Sequence, residues 1–147
     1  MEYRRYRVKT TIKSFRDLEI YKRTTALSAE LFTLRLPESI GDKRLEDELN
    51  VLMDLSKDVP KYIAESYGDR YTDKTIGINK LEKSAQIISD IIAKLDLINI
   101  LVDDAEFKDT VLKIIRDYQI QRRKTINLKR VWSGERSSGW KKIPKER

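Results

Sequence analysis

The chain has 147 residues, of which 37% are charged and 39% hydrophobic, and it contains only 5 glycines and 3 prolines. This length suits one compact domain, and the scarcity of turn-forming residues favours long helices over a β architecture. Cysteine and histidine are both absent, which excludes disulfides, thiolate and imidazole metal ligands, and catalysis by either side chain.

The net charge of +7 is concentrated at the two ends of the chain. Residues 1–14 carry +4 and residues 129–147 carry +5, so the middle of the chain carries −2. We therefore predict a basic N-terminal extension over 1–14, a folded body over 15–128, and a basic, partly flexible tail over 129–147. Basic extensions on a nearly neutral body are typical of proteins that bind polyanions, although purely solubilising tails have the same composition.

Apolar residues follow helical spacing from Phe15 to Leu36, which predicts the first helix. Ser14 and Asp17 form a capping-box pattern at its start, and Pro37 marks its end. The apolar positions form two adjacent stripes, so this helix needs two neighbouring helices to cover it.

A second helix is predicted from Asp42 to Tyr67, with Asp42 or Ser39 as its N-cap. Pro60 lies inside this segment and removes one helical hydrogen bond. Because the apolar period continues past Pro60, we expect the helix to bend near Ser56 and not to break into two pieces.

The segment from Gly68 to Gly77 combines Gly, Asp and Thr without periodicity, which predicts a loop. Asp73 or Thr75 would cap the third helix, which follows this loop. The third helix carries the widest apolar surface of the chain, from Leu81 to Val102, and should be the most central of the helices.

Asp103 and Glu106 form a second capping-box pattern, so a fourth helix should begin almost without a loop and lie antiparallel to the third. This helix should end near Trp132, beyond which Ser, Gly, Lys and Pro are frequent. Short connections predict an all-α, antiparallel up-down-up-down four-helix bundle. The wide stripes on helices one and three further predict a homo-oligomer, although a thick core in a monomer would leave the same pattern.

The sequence does not predict membrane insertion or secretion. Asp90, Lys94 and Asp96 interrupt the most apolar stretch of the chain, which makes it too polar to cross a bilayer. The basic residues at the start are not followed by an apolar run of signal-peptide length. We therefore expect a cytoplasmic protein.

Carboxylates are the remaining candidates for acid–base or metal chemistry. The consecutive acidic residues 46–48 point in different directions on a helix, and the acidic residues within 103–106 suit a helix N-terminus. The glycines do not form a phosphate-binding loop. We therefore predict a protein that is not an enzyme and that needs no cofactor and no metal.

Basic residues interleaved with tryptophan are the strongest signal for a binding function, because cations neutralise phosphates and indoles stack on unpaired bases. The predicted nucleic-acid-binding residues are Arg4, Arg5, Arg7, Arg122, Arg123, Lys124, Lys129, Arg130, Arg136, Trp140, Lys141 and Lys142. We expect Trp132 to cap the open end of the bundle, whereas Trp140 could also enter a partner protein. The basic and aromatic pattern recurs at the other end in Tyr3, Arg4, Arg5, Tyr6 and Arg7, where a peripheral contact to a neighbouring subunit is the competing explanation.

Two stretches carry a resemblance to a known family: residues 14–21, SFRDLEIY, and residues 59–65, VPKYIAE, which YGDR follows at 67–70. They resemble the two signature stretches of the four-helix-bundle proteins encoded in 23S rRNA intervening sequences, which are related to the accessory variability determinants of diversity-generating retroelements. The similarity spans about Ser14 to Tyr118. Relatives usually have Asn at the position of Tyr62 and Gly at the position of Ser66, and here Asp69 adds a residue before Arg70.

The resemblance implies a pentameric ring of bundles. For the retroelement branch it also implies a cationic surface that binds RNA and the reverse transcriptase of the element. The predicted function is therefore a non-enzymatic, RNA- or DNA-binding oligomeric scaffold that resembles the accessory protein of such a reverse transcriptase. One alternative is a protein-interaction scaffold of the 23S rRNA branch with no role in nucleic-acid binding. Another is attachment of the basic tails to anionic lipid, which the lack of an amphipathic anchor segment disfavours.

Overall fold

The computed structural model describes residues 14–134. Within this part the chain is all-α, with four α-helices and no strand, as predicted. A 3-10 turn covers Phe15–Asp17, and the helices are α1 (Glu19–Thr33), α2 (Lys43–Thr72), α3 (Lys74–Leu101) and α4 (Ala105–Ser133).

The four helices enclose one hydrophobic core. In the described part of the chain each helix packs against its neighbours in sequence, and α1 also packs against α4, while no Cα atoms of the pairs α1/α3 and α2/α4 come within 8 Å of each other. Every helix contributes a fully buried side chain, as shown by Leu27, Leu52, Ile88 and Tyr118. This arrangement follows from the apolar stripe that each helix carries at helical spacing.

The first helix is shorter than predicted at both ends. The capping pattern of Ser14 and Asp17 closes a 3-10 turn, in which the Ser14 hydroxyl accepts a hydrogen bond from the Arg16 amide at 3.2 Å. Leu18 then adopts an extended conformation, so α1 begins only at Glu19. At the other end Leu34 is extended while its side chain stays in the core. The single helix predicted over residues 15–36 is therefore a 3-10 turn, an α-helix and an extended segment in the structure.

The second helix begins as predicted, since the Asp42 carboxylate accepts a hydrogen bond from the Arg44 amide at 2.9 Å. It runs unbroken through Pro60, which confirms that the helix does not split there. The Ser56 hydroxyl, one turn before the proline, lies 2.8 Å from the Ser28 hydroxyl of α1. This buried contact ties α1 to α2 at the level of the proline.

The predicted loop over residues 68–77 is wrong. Only Asp73 separates α2 from α3, and both Gly68 and Gly77 lie inside helices. The Asp73 carboxylate accepts hydrogen bonds from the amides of Thr75 and Ile76 at 3.1 and 3.3 Å, which confirms it as the N-cap of α3. The Gly, Asp and Thr residues of this segment therefore mark a sharp junction between two helices and not a loop.

The junction between α3 and α4 is short, as predicted, but its cap is shifted by one residue. Asp104, and not Asp103, accepts a hydrogen bond from the Phe107 amide at 2.8 Å. Helix α4 ends at Ser133, close to the predicted end, and Gly134 follows it with a positive φ of 84° that a side chain would oppose. No helix within residues 14–134 combines the length and the hydropathy that a membrane span requires.

Candidate nucleic-acid interface

The described part of the chain contains five of the twelve predicted binding residues. Arg122, Arg123, Lys124, Lys129 and Arg130 all lie in the second half of α4. The other seven lie outside the described residues: Arg4, Arg5, Arg7, Arg136, Trp140, Lys141 and Lys142.

The helical period of α4 explains why these cations lie on the surface. Gln121 and Thr125 face the core, and the basic residues occupy the positions between and after them. Lys129 is half-buried, and the other four basic side chains are exposed. The sequence of α4 therefore places its charge outside the core and turns the neutral side chains of Gln121 and Thr125 towards it.

A groove of about 530 Å³ lies between α3 and α4, and we call it the arginine groove. It is lined by Ser89, Ile92, Gln119, Arg122, Arg123, Ile126, Asn127 and Arg130. Three of these side chains are cationic and none is a carboxylate. A second cavity, of about 300 Å³, adjoins it and shares Ser89, Arg122 and Ile126 with it.

One hydrogen-bond chain fixes the orientation of Arg122. Its Nε donates to the Ser89 hydroxyl at 2.6 Å, and that hydroxyl donates to the carbonyl of Ala85 at 3.3 Å. A guanidinium has five N–H groups, and this contact uses one of them. The two terminal nitrogens of Arg122 make no hydrogen bond to any described residue.

The remaining two predicted cations do not join this groove. Lys129 lines the second cavity and lies 3.7 Å from a carboxylate oxygen of Glu82, which offsets its charge locally. Lys124 lines neither cavity. The structure thus brings together Arg122, Arg123 and Arg130 from the predicted set.

The sequence reading missed the neutral residues of the groove. Gln119 and Asn127 stand four residues on either side of Arg123, so helical spacing alone places them on the same face of α4. Ser89 carried no such signal, because it comes from α3 and only the packing of α3 on α4 brings it to Arg122.

An aromatic cluster lies at the end of α2 and α4. The Arg70 guanidinium lies over the rings of Tyr67, Tyr71 and Trp132 at 4.9, 4.5 and 4.7 Å from their centroids. A hydrogen bond with Tyr67, together with the Arg70 charge, lowers the pKa of Tyr71. Trp132 is half-buried and packs against the core, in agreement with the expectation that it caps this end.

Charge is divided unequally along the fold, although residues 14–134 carry no net charge as a whole. The acidic half comprises residues 27–57 and 88–118 and carries −6. The basic half comprises residues 14–26, 58–87 and 119–134 and carries +6, of which α4 supplies +5. The described chain begins and ends in the basic half.

Contacts within each half support this division. In the basic half the Lys80 ammonium lies 3.1 Å from Glu65 and 2.7 Å from Asp69, which raises the pKa of Lys80. In the acidic half Lys94 lies 3.9 Å from Glu48, across the interface between α3 and α2. These ion pairs join α2 to α3 within each half, and the ion pair of Arg23 with Asp117 joins the two halves.

Within residues 14–134 no group of three or more acidic residues is placed to hold a metal ion. Comparison with protein-family models, with curated proteins and with solved structures finds no match for this chain.

Proposed function

We propose that the protein is a non-enzymatic, cytoplasmic scaffold that binds nucleic acid through its basic half. The observation that carries this proposal is the separation of charge, with +6 on the half from which both chain ends leave. The undescribed ends add +4 in residues 1–13 and +3 in residues 135–147. Concentrated positive charge attracts the phosphates of nucleic acid over distances of about a Debye length, roughly 8 Å at physiological salt.

The scaffold we propose is an up-down-up-down bundle of antiparallel helices. Ion pairs and hydrogen bonds support this order. Glu48 lies beside Lys94, and Glu65 lies beside Lys80, so rising numbers on α2 meet falling numbers on α3. The backbone carbonyl of Asn99 in α3 accepts a hydrogen bond from the Lys108 ammonium of α4. Ser89, earlier in α3, accepts one from Arg122, later in α4. The same reversal therefore relates α3 to α4.

Self-association is the second part of the proposal, and a pentameric ring is what the family resemblance implies. Leu97, Ile100 and Leu101 of α3 have exposed fractions of 54%, 67% and 57%. These positions are neighbours on a helix surface, so they form one apolar patch. A patch of this kind favours a contact with protein. A ring would repeat the basic half and multiply weak contacts to one nucleic-acid strand.

We also propose that the chain is related to the four-helix-bundle proteins of 23S rRNA intervening sequences and to the retroelement accessory proteins. This relationship rests on residues 14–21 and 59–70. A reverse transcriptase is the partner that the retroelement branch implies. The apolar patch on α3 favours the second candidate, a protein-interaction scaffold, if nucleic acid is not bound.

A titration of the full-length chain with labelled single-stranded RNA and DNA tests the proposal. We expect the affinity to fall steeply with salt, with a log–log slope of about −0.7 per phosphate neutralised. A chain that ends after Gly134 should bind more weakly, because it lacks the +3 of the last residues. An affinity that ignores both salt and this truncation would contradict the proposal, as would tighter binding to vesicles that contain phosphatidylserine.

A further inference from the structure

We propose that the arginine groove binds the phosphate groups of a nucleic-acid backbone without reading its bases, and that Ser89 positions Arg122 for this contact. The inference rests on the proposed function, and it names the subsite and the part of the ligand that the subsite recognises. Three observations carry it: the donor set of the groove, the hydrogen bond that holds Arg122, and the absence of aromatic residues from the lining.

The donor set fits an anion with several oxygens. Arg122, Arg123 and Arg130 supply charge, and the amide side chains of Gln119 and Asn127 supply neutral donors on the same face. No carboxylate lines the groove, so the guanidinium groups are not neutralised within it. Planar guanidinium groups match phosphate oxygens through paired N–H bonds, which lysine cannot form.

Ser89 removes part of the freedom of Arg122 before any ligand arrives. The 2.6 Å hydrogen bond to Nε holds one edge of the guanidinium against α3. The two terminal nitrogens are then left to meet an oxyanion. A side chain that is already oriented loses less conformational entropy on binding than a mobile one.

The spacing along α4 suits a strand that runs with the helix. Arg123 and Arg130 are two helical turns apart, which is about 10.5 Å. Phosphates of one strand in a duplex advance by about 3.4 Å per nucleotide along the axis, so these arginines would meet phosphates about three nucleotides apart. None of the eight lining residues is aromatic, so the groove offers bases no stacking surface.

The test measures anisotropy of the full-length chain with labelled 12-nucleotide oligouridine and oligoadenosine over a range of salt. We expect the two affinities to agree within about twofold because backbone phosphates are identical. A variant with Arg122→Gln, Arg123→Gln and Arg130→Gln should bind at least about tenfold more weakly. Its log–log dependence of affinity on salt should also be less steep by about 2, since three phosphate contacts are lost.

The matched control carries Arg35→Gln, Arg44→Gln and Lys113→Gln, which remove the same charge from the acidic half. It should keep most of the affinity. If the wild-type chain binds neither RNA nor single-stranded DNA, the proposed function and this inference both fail. If the wild-type chain binds with a steep salt slope but the groove variant behaves as the control does, the inference alone fails. Circular dichroism melting of each variant checks that it folds.

A second measurement separates positioning by Ser89 from general packing. Ser89→Ala should weaken binding by about two- to fivefold with an unchanged salt slope, because every charge remains. Arg122→Lys removes the Nε–H donor that Ser89 holds, and with it the oriented guanidinium, so adding Ser89→Ala to Arg122→Lys should cause no further loss. Additive losses would contradict the positioning role. Uridine monophosphate and inorganic phosphate serve as competitors of the labelled RNA. If either displaces the RNA at a concentration equal to that of the RNA nucleotides, the groove binds free phosphates and the backbone assignment is wrong.

Discussion

Gly77 lies where α2 and α3 approach each other closely after their one-residue junction. A Cβ atom at this position would lie 2.9 Å from both Cα and N of Arg70. Those are backbone atoms, which cannot move aside as the end of a side chain can. Glycine is therefore required here by packing, although it is an unfavourable residue inside a helix.

We expect Gly77→Ala to lower the free energy of unfolding by about 1–3 kcal/mol, because the helices must separate to admit the methyl group. Gly68→Ala is the matched control, since nothing lies within 4 Å of its Cβ position. That change should raise the free energy of unfolding by about 0.5–1 kcal/mol through helix propensity. Urea denaturation measures both values, and equal effects of the two changes would contradict the close approach.

Tyr118 is a fully buried tyrosine whose hydroxyl has no hydrogen-bond partner among the described residues. Burial, with the nearby carboxylates of Glu30 and Asp117, raises its pKa. A buried hydroxyl without a partner costs free energy, so Tyr118→Phe should leave the stability unchanged or raise it by up to about 1 kcal/mol. A loss of more than about 1 kcal/mol in chemical denaturation at neutral pH would contradict this account.

Alkaline pH provides an independent test of the burial of Tyr118. Its folded-state pKa is raised, so the folded chain keeps a proton that the unfolded chain releases above about pH 10. Stability is therefore lost as the pH rises through this region. Tyr118→Phe removes this contribution, and its free energy of unfolding should fall less steeply than that of the wild-type chain between about pH 9.5 and 11. Parallel curves for the two chains would show that Tyr118 is accessible to solvent.

At the scale of elements, the junction between α2 and α3 depends on one side chain. Asp73 ends α2, and its carboxylate caps α3 by accepting two backbone hydrogen bonds. Further into α3, Lys80 pairs with Glu65 and Asp69 of α2. The cap and the ion pairs together hold the helices in the register that Gly77 makes possible.

We expect Asp73→Ala to lower the free energy of unfolding by about 0.5–2 kcal/mol, because the first amides of α3 lose their acceptor. Asp73→Asn keeps an acceptor at the same position and should cost only a few tenths of a kcal/mol. Thermal denaturation of both variants checks the prediction. It fails if the asparagine variant is as unstable as the alanine variant.

Asp42 caps α2 in a similar way, and its pH response follows from the same geometry. The backbone and side-chain hydrogen bonds from Arg44 lower the pKa of Asp42 below its ordinary value. Its contribution to stability is therefore present above about pH 4 and is lost as the pH falls through the lowered pKa. The stability difference between the wild-type chain and Asp42→Ala should shrink under acid. If this stability difference persists to about pH 2, the Asp42 carboxylate is not its cause and the prediction fails.

At the scale of the whole molecule, the apolar patch on α3 and the basic end of α4 belong to different halves of the charge distribution. Residues 119–134 carry +5 in the basic half, whereas Leu97, Ile100 and Leu101 lie in the acidic half. A nucleic acid attracted to the cations would leave the apolar patch open. The proposed binding of nucleic acid is therefore compatible with the proposed contact between proteins.

We expect the full-length chain to self-associate and Leu97→Asp to shift it toward the monomer, because a carboxylate cannot be buried cheaply in an apolar contact. Sedimentation equilibrium over a range of protein concentrations measures this shift. Lys113→Asp, on the exposed face of α4, is the control and should leave the association unchanged. A wild-type chain that stays monomeric at high concentration would contradict the proposed assembly.

The sequence alone determined the all-α class and the number of helices, because apolar residues at helical spacing must be buried together. It also narrowed each of two N-caps to two candidates, from which the structure selected Asp42 over Ser39 and Asp73 over Thr75. Helix ends that depend on packing were misread, as at residues 68–77, where composition indicated a loop. Only the packing of α3 against α2 allows Gly77 to remain in a helix.

The same division applies to the candidate site. The cations of α4 were predicted because their charge and spacing can be read along one helix. The tertiary structure selected Arg122, Arg123 and Arg130 from the predicted set and added Ser89 from α3. Hydrogen bonds between side chains 33 positions apart leave no local pattern in the sequence. Such contacts exist only after the core has fixed which faces of the helices meet.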